Sequence, residues 1–291
     1  MFGGNVASPS QLRGLTGSLQ DAAGGGALIS VDQEGGLVRR IPFAGPRHGQ
    51  PDQGSVARVR RLAGEAGEGL RSLGVNVNFA PVADVPSRPG ADMFRRAFAG
   101  GPGAVASRVV AAIDGYRAGR VAATAKHFPG LGAAPRNTDE ASVVIRRSAS
   151  QLRRADLVPF RSAIAARVPL IMVSHATYPS LDARRIASQS RPVISGLLRS
   201  EMRFEGAVIT DALEANAVLR RWSVTNAAER SLAAGCDLLL LTRPSSRRPV
   251  VRHLAARAAV SRAVGIRVRQ AVARVFVLKR ALGLQLPGRR R

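Results

Sequence analysis

The chain is poor in lysine, cysteine, aromatic residues and acid. Of its 44 basic residues only two are lysines, Lys126 and Lys279. The single cysteine, Cys236, excludes an internal disulfide and any cysteine-built zinc site. It lies in the apolar run "AAGCDLLLL", which predicts a buried thiol. Aromatic residues make up 4%, so no basic stretch carries the stacking rings that a single-strand binder uses. The shortage of acid leaves a net charge of +25, which taken alone points to a nucleic acid or a membrane surface. The arginines, however, are scattered over nearly every segment in an Ala-, Gly- and Val-rich background, as GC-rich codon usage produces. A solvated basic surface is the expectation, with no nucleic-acid partner. No run approaches the roughly 18 consecutive apolar residues of a membrane span. "MFGGNVASPSQ" has no charged region followed by an apolar one, so as written the chain is expected in the cytoplasm.

What is present is a repeating alternation. Six short apolar runs, at 27–36, 75–84, 121–130, 169–176, 206–213 and 236–242, each end in polar or Gly-rich residues. Helical patterns separate them, at 54–73, 103–119, 150–167 and 215–234, with further helices over "SRPVISGLLRSEMRF" and from about 251 to 284. Strands alternating with helices predict an α/β fold with a parallel sheet. Asp32, Glu34, Asp84, Lys126, His127, Ser174, His175 and Asp211 all fall where a strand ends. A doubly wound sheet would gather its site at one switch point, whereas a barrel collects residues from many strand ends. The distribution predicts a (β/α)8 barrel of TIM type, forming one domain over 1–291.

Three stretches carry chemistry. In "VITDAL", Asp211 follows a β-branched run. It could cap the next helix, or serve as a carboxylate at a barrel mouth. "VDQEGG" offers Asp32 and Glu34 before two glycines, or else an ordinary turn. "KHFPG" sets two adjacent donors at a strand end, where Pro129-Gly130 stops the strand. Each alone is weak; their order is specific.

With "ISVDQEGGLVRRI", "GVNVNFAPVADV", "AKHFPGLG", "LIMVSHATYPSLD", "EGAVITDAL" and "AVARVFVLKRALGL" in that order, the chain resembles glycoside hydrolase family 3. The similarity is to the single-domain bacterial β-N-acetylhexosaminidases and covers nearly the whole chain. It implies a retaining exo-β-glycosidase acting on β-linked N-acetylglucosaminides such as peptidoglycan fragments. No metal or organic cofactor is implied, and a monomer is expected. Asp211 resembles the nucleophile. Asp32, Arg40, Arg96, Lys126 and His127 resemble the sugar-binding residues, although the acid usual before Arg96 is Arg95 here. His175 fits either the pocket wall or a hydrogen-bonded core histidine. Lys126 has a reason to persist in an Arg-biased sequence, because a compact ammonium binds sugar hydroxyls in a way a planar guanidinium does not.

One departure matters. The resemblance implies an Asp-Ser/Thr-His triplet whose histidine is the general acid/base, and this chain has Asn137-Thr138-Asp139 there. None of His48, His127, His175 or His253 lies on that loop. Asp139 is the candidate replacement, with Glu140 beside it; a carboxylic acid can do this work if its pKa is raised. A carbohydrate-binding relative without turnover is the alternative reading, and a charge-driven nucleic-acid binder the third. Six runs also fall short of a barrel's eight strands. "MFGGNVASPSQL" resembles the end of the family's second strand, so the expectation is a chain lacking the first strand and most of the second. An export signal could then lie upstream.

Overall fold

The computed structural model describes residue 1 and residues 3–288. Five of the apolar runs form one parallel sheet: β1 (Ser30–Val31), β2 (Val77–Asn78), β3 (Ala122–Phe128), β4 (Leu170–Val173) and β5 (Ala207–Thr210). Their order in the sheet is their order in the chain. Ser30 pairs with Val77, Val77 with Ala122, Thr124 with Leu170, and Leu170 with Ala207. Parallel neighbours need a crossover, and helices supply it at Val56–Ser72, Pro102–Ala118, Val158–Ala165 and Pro192–Glu201, the last π-helical. The result is a parallel half-barrel with helices outside.

The sixth run joins this sheet more loosely than its pattern predicts. Leu238 makes a single bridge to Ile209. Side chains interrupt the ladder: the Asp237 carboxylate accepts the Val208 N–H at 3.0 Å, and Thr210 Oγ1 accepts the Leu240 N–H at 3.0 Å. Two predicted helices are also broken, each at a serine. The 215–234 pattern splits into Asn216–Leu219 and Val224–Ala234, with Ser223 as N-cap. The tail splits into Pro244–Val260 and Arg262–Ala281, with Ser261 extended at φ −125° and accepting from Val264 N–H. A serine side chain that caps the next helix competes with continuing the previous one.

Period two decides which side chains face the interior. Outward-facing Ala123, Ala125, Ile171, Val173 and Val208 join the large core under the helices, with Val109, Ile113, Phe160 and Leu198. Inward-facing Val77, Ala122, Leu170, Met172, Ala207 and Ile209 form a second core, sealed by Leu278 of the last helix. Continuing the inward parity toward the strand ends gives Lys126 after Ala122, and Asp211 after Ile209. The interior is therefore apolar low down and charged at the top. Among the described residues, no helix is long and apolar enough to cross a membrane.

Candidate active site

At the C-terminal ends of the strands lies a cavity of about 320 Å³. Asp32, Arg40, Asp92, Arg96, Lys126, His127, Asn137, Asp139, Met172 and Asp211 help to line it. It thus gathers Asp32, Arg40, Arg96, Lys126, His127, Asp139 and Asp211, seven of the eight residues given a catalytic or sugar-binding role from the sequence, the eighth being His175.

Lys126 is the hub. Its ammonium lies 2.6 Å from Asp32 Oδ1 and 2.6 Å from Glu34 Oε1, and its side chain is 1% exposed. Burial disfavours the cation, but Asp32 and Glu34 outweigh this and hold its pKa above the usual value. Arg96 forks onto Glu34 with Nε 3.0 Å from Oε2 and Nη2 2.7 Å from Oε1. Burial would raise the Glu34 pKa, yet Lys126 and Arg96 bring it down to about 2. The acid next to Arg96 comes from Asp92, one helical turn earlier, at 3.1 Å from Nη1. Arg95, in the expected place of an acid, is exposed.

His127 is oriented from behind. Its Nδ1 donates to Asp84 Oδ2 at 2.8 Å, and Asp84 Oδ1 accepts N–H bonds from His127 and Leu131. Because the carboxylate only accepts, Nδ1 carries a proton and Nε2 is left for a ligand. Strand pairing slips between Lys126 and Phe128. Such a register shift re-aims side chains, and here Lys126 and His127 both reach the cavity. Gly130 follows at φ +126°, where a Cβ would lie 2.6 Å from Asp156 Cβ, so only glycine fits that turn.

Asp211 accepts the Ala212 N–H at 2.8 Å through Oδ1. Burial opposes its ionisation, but His127, His175, that N–H and Lys126 hold its pKa below the ordinary value. Asp139 shows the opposite shift. Much of its surface meets solvent, yet partial desolvation in the cavity wall and the negative charge of Asp211 push its pKa up. Glu140 is exposed and does not line the cavity.

His175 is the one residue that falls outside. It is fully buried behind Asp211, where Nε2 donates to Ala212 O at 2.9 Å and Nδ1 meets Ser188 Oγ at 2.7 Å. Burial lowers its pKa, and its hydrogen bond to Ala212 supports the Asp211 turn without making it pocket wall. Four contributors had no role assigned from sequence: Gln33, Glu34, Asp84 and Asp92. Gln33 pins the loop after β1 through Ile41 and Ala44. Glu34 could have been found, since it lies two residues beyond Asp32, whereas Asp84 shares the parity of Ala80 and Val82 in the outer core. Asp92 carries no such signal. Arg40 lies exposed at the mouth, and Cys236 is buried as expected. Among the described residues, no group of three or more His, Cys, Asp or Glu could hold a metal.

Known proteins share this fold. The Glycosyl hydrolase family 3 N terminal domain matches residues 1–278. A β-N-acetylglucosaminidase of that family from Paenibacillus sp. str. FPU-7 superposes with a TM-score of 0.94 at 32% identity, over 99% of this chain and 57% of its own. A β-N-acetylhexosaminidase from Beutenbergia cavernae superposes at 0.85 and 32% identity, over 93% and 84%. A β-hexosaminidase from Nitrosomonas eutropha is 32% identical over 83% of this chain and 72% of its own. An uncharacterized secreted glycosyl hydrolase from Arthroderma benhamiae is 40% identical over 73% and 62%. The chain thus spans somewhat under two thirds of some of its relatives and more of others. Matched over residues 1–278, the chain belongs to glycosyl hydrolase family 3.

Proposed function

We propose that this chain is a retaining exo-β-glycosidase that hydrolyses β-linked N-acetylglucosaminides, with peptidoglycan fragments as the substrate class. The observation that carries this is the pairing of Asp211 and Asp139 in one small cavity, with opposite pKa shifts. Two carboxyl groups whose environments push their pKa values apart divide into nucleophile and acid. The names of the hexosaminidase relatives support the sugar.

In the first step the Asp211 carboxylate attacks the anomeric carbon while Asp139 gives its proton to the glycosidic oxygen. The aglycone leaves as an alcohol and the sugar stays as an ester on Asp211. That ester carries no charge, so the repulsion from Asp211 that helps to raise the Asp139 pKa disappears. Asp139 is then a carboxylate suited to take a proton from water, which attacks the ester and restores both groups. Lys126, Asp32, Arg40, Arg96 and His127 provide donors and acceptors for the sugar hydroxyls. No resident cofactor enters these steps.

The test is a panel of chromogenic β-glycosides together with a mechanism-based fluorosugar. Cleavage of the N-acetylglucosaminide in preference to the glucoside, and a label on Asp211, are expected. Sugar binding without turnover on any panel member would favour the non-catalytic alternative.

A further inference from the structure

The sequence departs from its family pattern at Arg95, Asn137 and Asp139, and the structure brings their surroundings together. Asn137 Nδ2 donates to Asp92 Oδ2 at 3.4 Å, and Asn137 Oδ1 accepts the Asp139 N–H at 3.0 Å. The same Asp92 oxygen accepts from Arg96 Nη1 at 3.1 Å, and Arg96 continues into the Glu34–Lys126 cluster. One amide therefore connects the sugar-binding charges to the backbone of the candidate acid.

We propose that Asn137 and Asp92 are positioning residues that together hold Asp139 in place for proton transfer to the glycosidic oxygen. The inference rests on the reading of Asp139 as acid/base.

The pair explains why an amide stands at 137. A group there must donate to one side and accept on the other. Asparagine has a donor and an acceptor on one planar end, and the identity of its neighbours fixes which way it faces. Aspartate could accept from Asp139 N–H but would then meet Asp92 as a second carboxylate within hydrogen-bond distance. Two like charges so close disfavour each other strongly. The carboxylate beside Arg96 stands at position 92, and the amide at 137 is its complement. The rest of the loop is fastened from the other side. Asn216 N–H donates to Asp139 O at 3.1 Å, Ala217 N–H to Thr138 O at 3.2 Å, and Asn216 Nδ2 to Glu140 O at 3.3 Å. These bonds tie the loop to the turn after Asp211 but leave the Asp139 side chain to be aimed by its own N–H, which Asn137 holds.

The experiment compares N137D, D92N and the exchanged pair D92N/N137D with wild type and D139A. Each is assayed on N-acetylglucosaminides with a poor and an activated leaving group, after a thermal melt shows a folded protein. N137D is expected to lose roughly 10- to 100-fold in kcat on the poor leaving group, within what a general acid contributes, and little on the activated one. D92N should show the same sense of loss. The exchanged pair, with carboxylate and amide reversed, should recover most of what N137D loses. Equal losses on both substrates, or no recovery in the exchanged pair, would overturn the positioning role while a leaving-group-dependent D139A kept Asp139 as the acid. A D139A variant indifferent to the leaving group would overturn both.

Discussion

Lys126 Nζ and Glu34 Oε1 meet at 2.6 Å, with neither side chain more than 1% exposed. This pair accounts for a lysine in a chain whose only other lysine is Lys279. A single ammonium serves Asp32 and Glu34 at once from inside the barrel. The planar fork of arginine is longer and spreads its charge over three nitrogens. Arg96 already occupies the fork-shaped place on Glu34.

The first prediction concerns Lys126 itself. Lys126→Arg should keep the fold but lower kcat/KM by about 10- to 100-fold, the worth of one or two charged hydrogen bonds. Lys126→Ala leaves Asp32 and Glu34 without their shared cation and should cost about 3–5 kcal/mol of stability. Glu34 has a folded pKa of about 2, below its unfolded value of 4.5. Its stabilising contribution is thus complete above pH 4.5 and is lost as pH falls toward 2. Urea melts between pH 2 and 6 should show that acid-side loss in the native chain and much less of it in Lys126→Ala.

A second prediction follows from Asp84. It accepts three hydrogen bonds and fixes the His127 ring. Asp84→Asn replaces one acceptor oxygen with a donor, so the His127 ring must turn or change tautomer. Partners behind a functional histidine typically matter by about 10- to 100-fold. The loss should appear in kcat/KM on every β-glycoside, regardless of leaving group. An unchanged kcat/KM would mean that His127 does not touch the sugar.

How far the sequence disclosed these residues depended on parity. Asp211 continues a strand whose inward positions, Ala207 and Ile209, are apolar, and Lys126 shares the parity of Ala122, so both could be placed inward. Glu34 follows the same rule and Asp84 does not, since it shares the parity of Ala80 and Val82 in the outer core; nothing local distinguishes a carboxylate that binds sugar from one that holds its neighbour. Asp92 was beyond reach, because its partner Arg96 is set by one turn of a five-residue helix. The helix breaks at Ser223 and Ser261 were hidden by an apolar periodicity that runs through both. The loose joining of Leu238 was hidden because Asp237 and Thr210 replace backbone partners with side chains.

The third prediction concerns Asp156, beneath the turn at Gly130. No hydrogen bond reaches either of its carboxylate oxygens, and the nearest cation is Arg147 Nη1 at 3.4 Å from Oδ2. Burial raises its pKa to about 6, against 3.8 for the free acid. A raised carboxyl pKa means the folded state binds the proton more tightly, so stability falls as pH rises from about 4 through 6. Asp156→Asn mimics the protonated form without the titration. It should be more stable than the native chain at pH 8, by up to roughly 3 kcal/mol, and equal to it near pH 3. Thermal melts at the two pH values decide this, and a destabilised variant at pH 8 would show that the charge is wanted.

The last prediction concerns the pH profile of the reaction. Asp211 must be ionised to attack, and its pKa is held below the ordinary value, so the acid limb of kcat/KM should lie low. Asp139 must be protonated to donate, and its raised pKa carries activity upward before the alkaline limb begins. A carboxylic acid starts from about 4 and a histidine from about 6.5. The alkaline limb should accordingly fall at lower pH than a histidine acid would give. On an activated aryl glycoside, which leaves without a proton, Asp139→Ala should abolish that limb. Azide should then speed turnover by attacking the Asp211 ester, since it needs no general base. An alkaline limb that persists unchanged in Asp139→Ala would place the proton donor on another residue of the cavity, and His127, the one histidine that lines it, would be the first to examine.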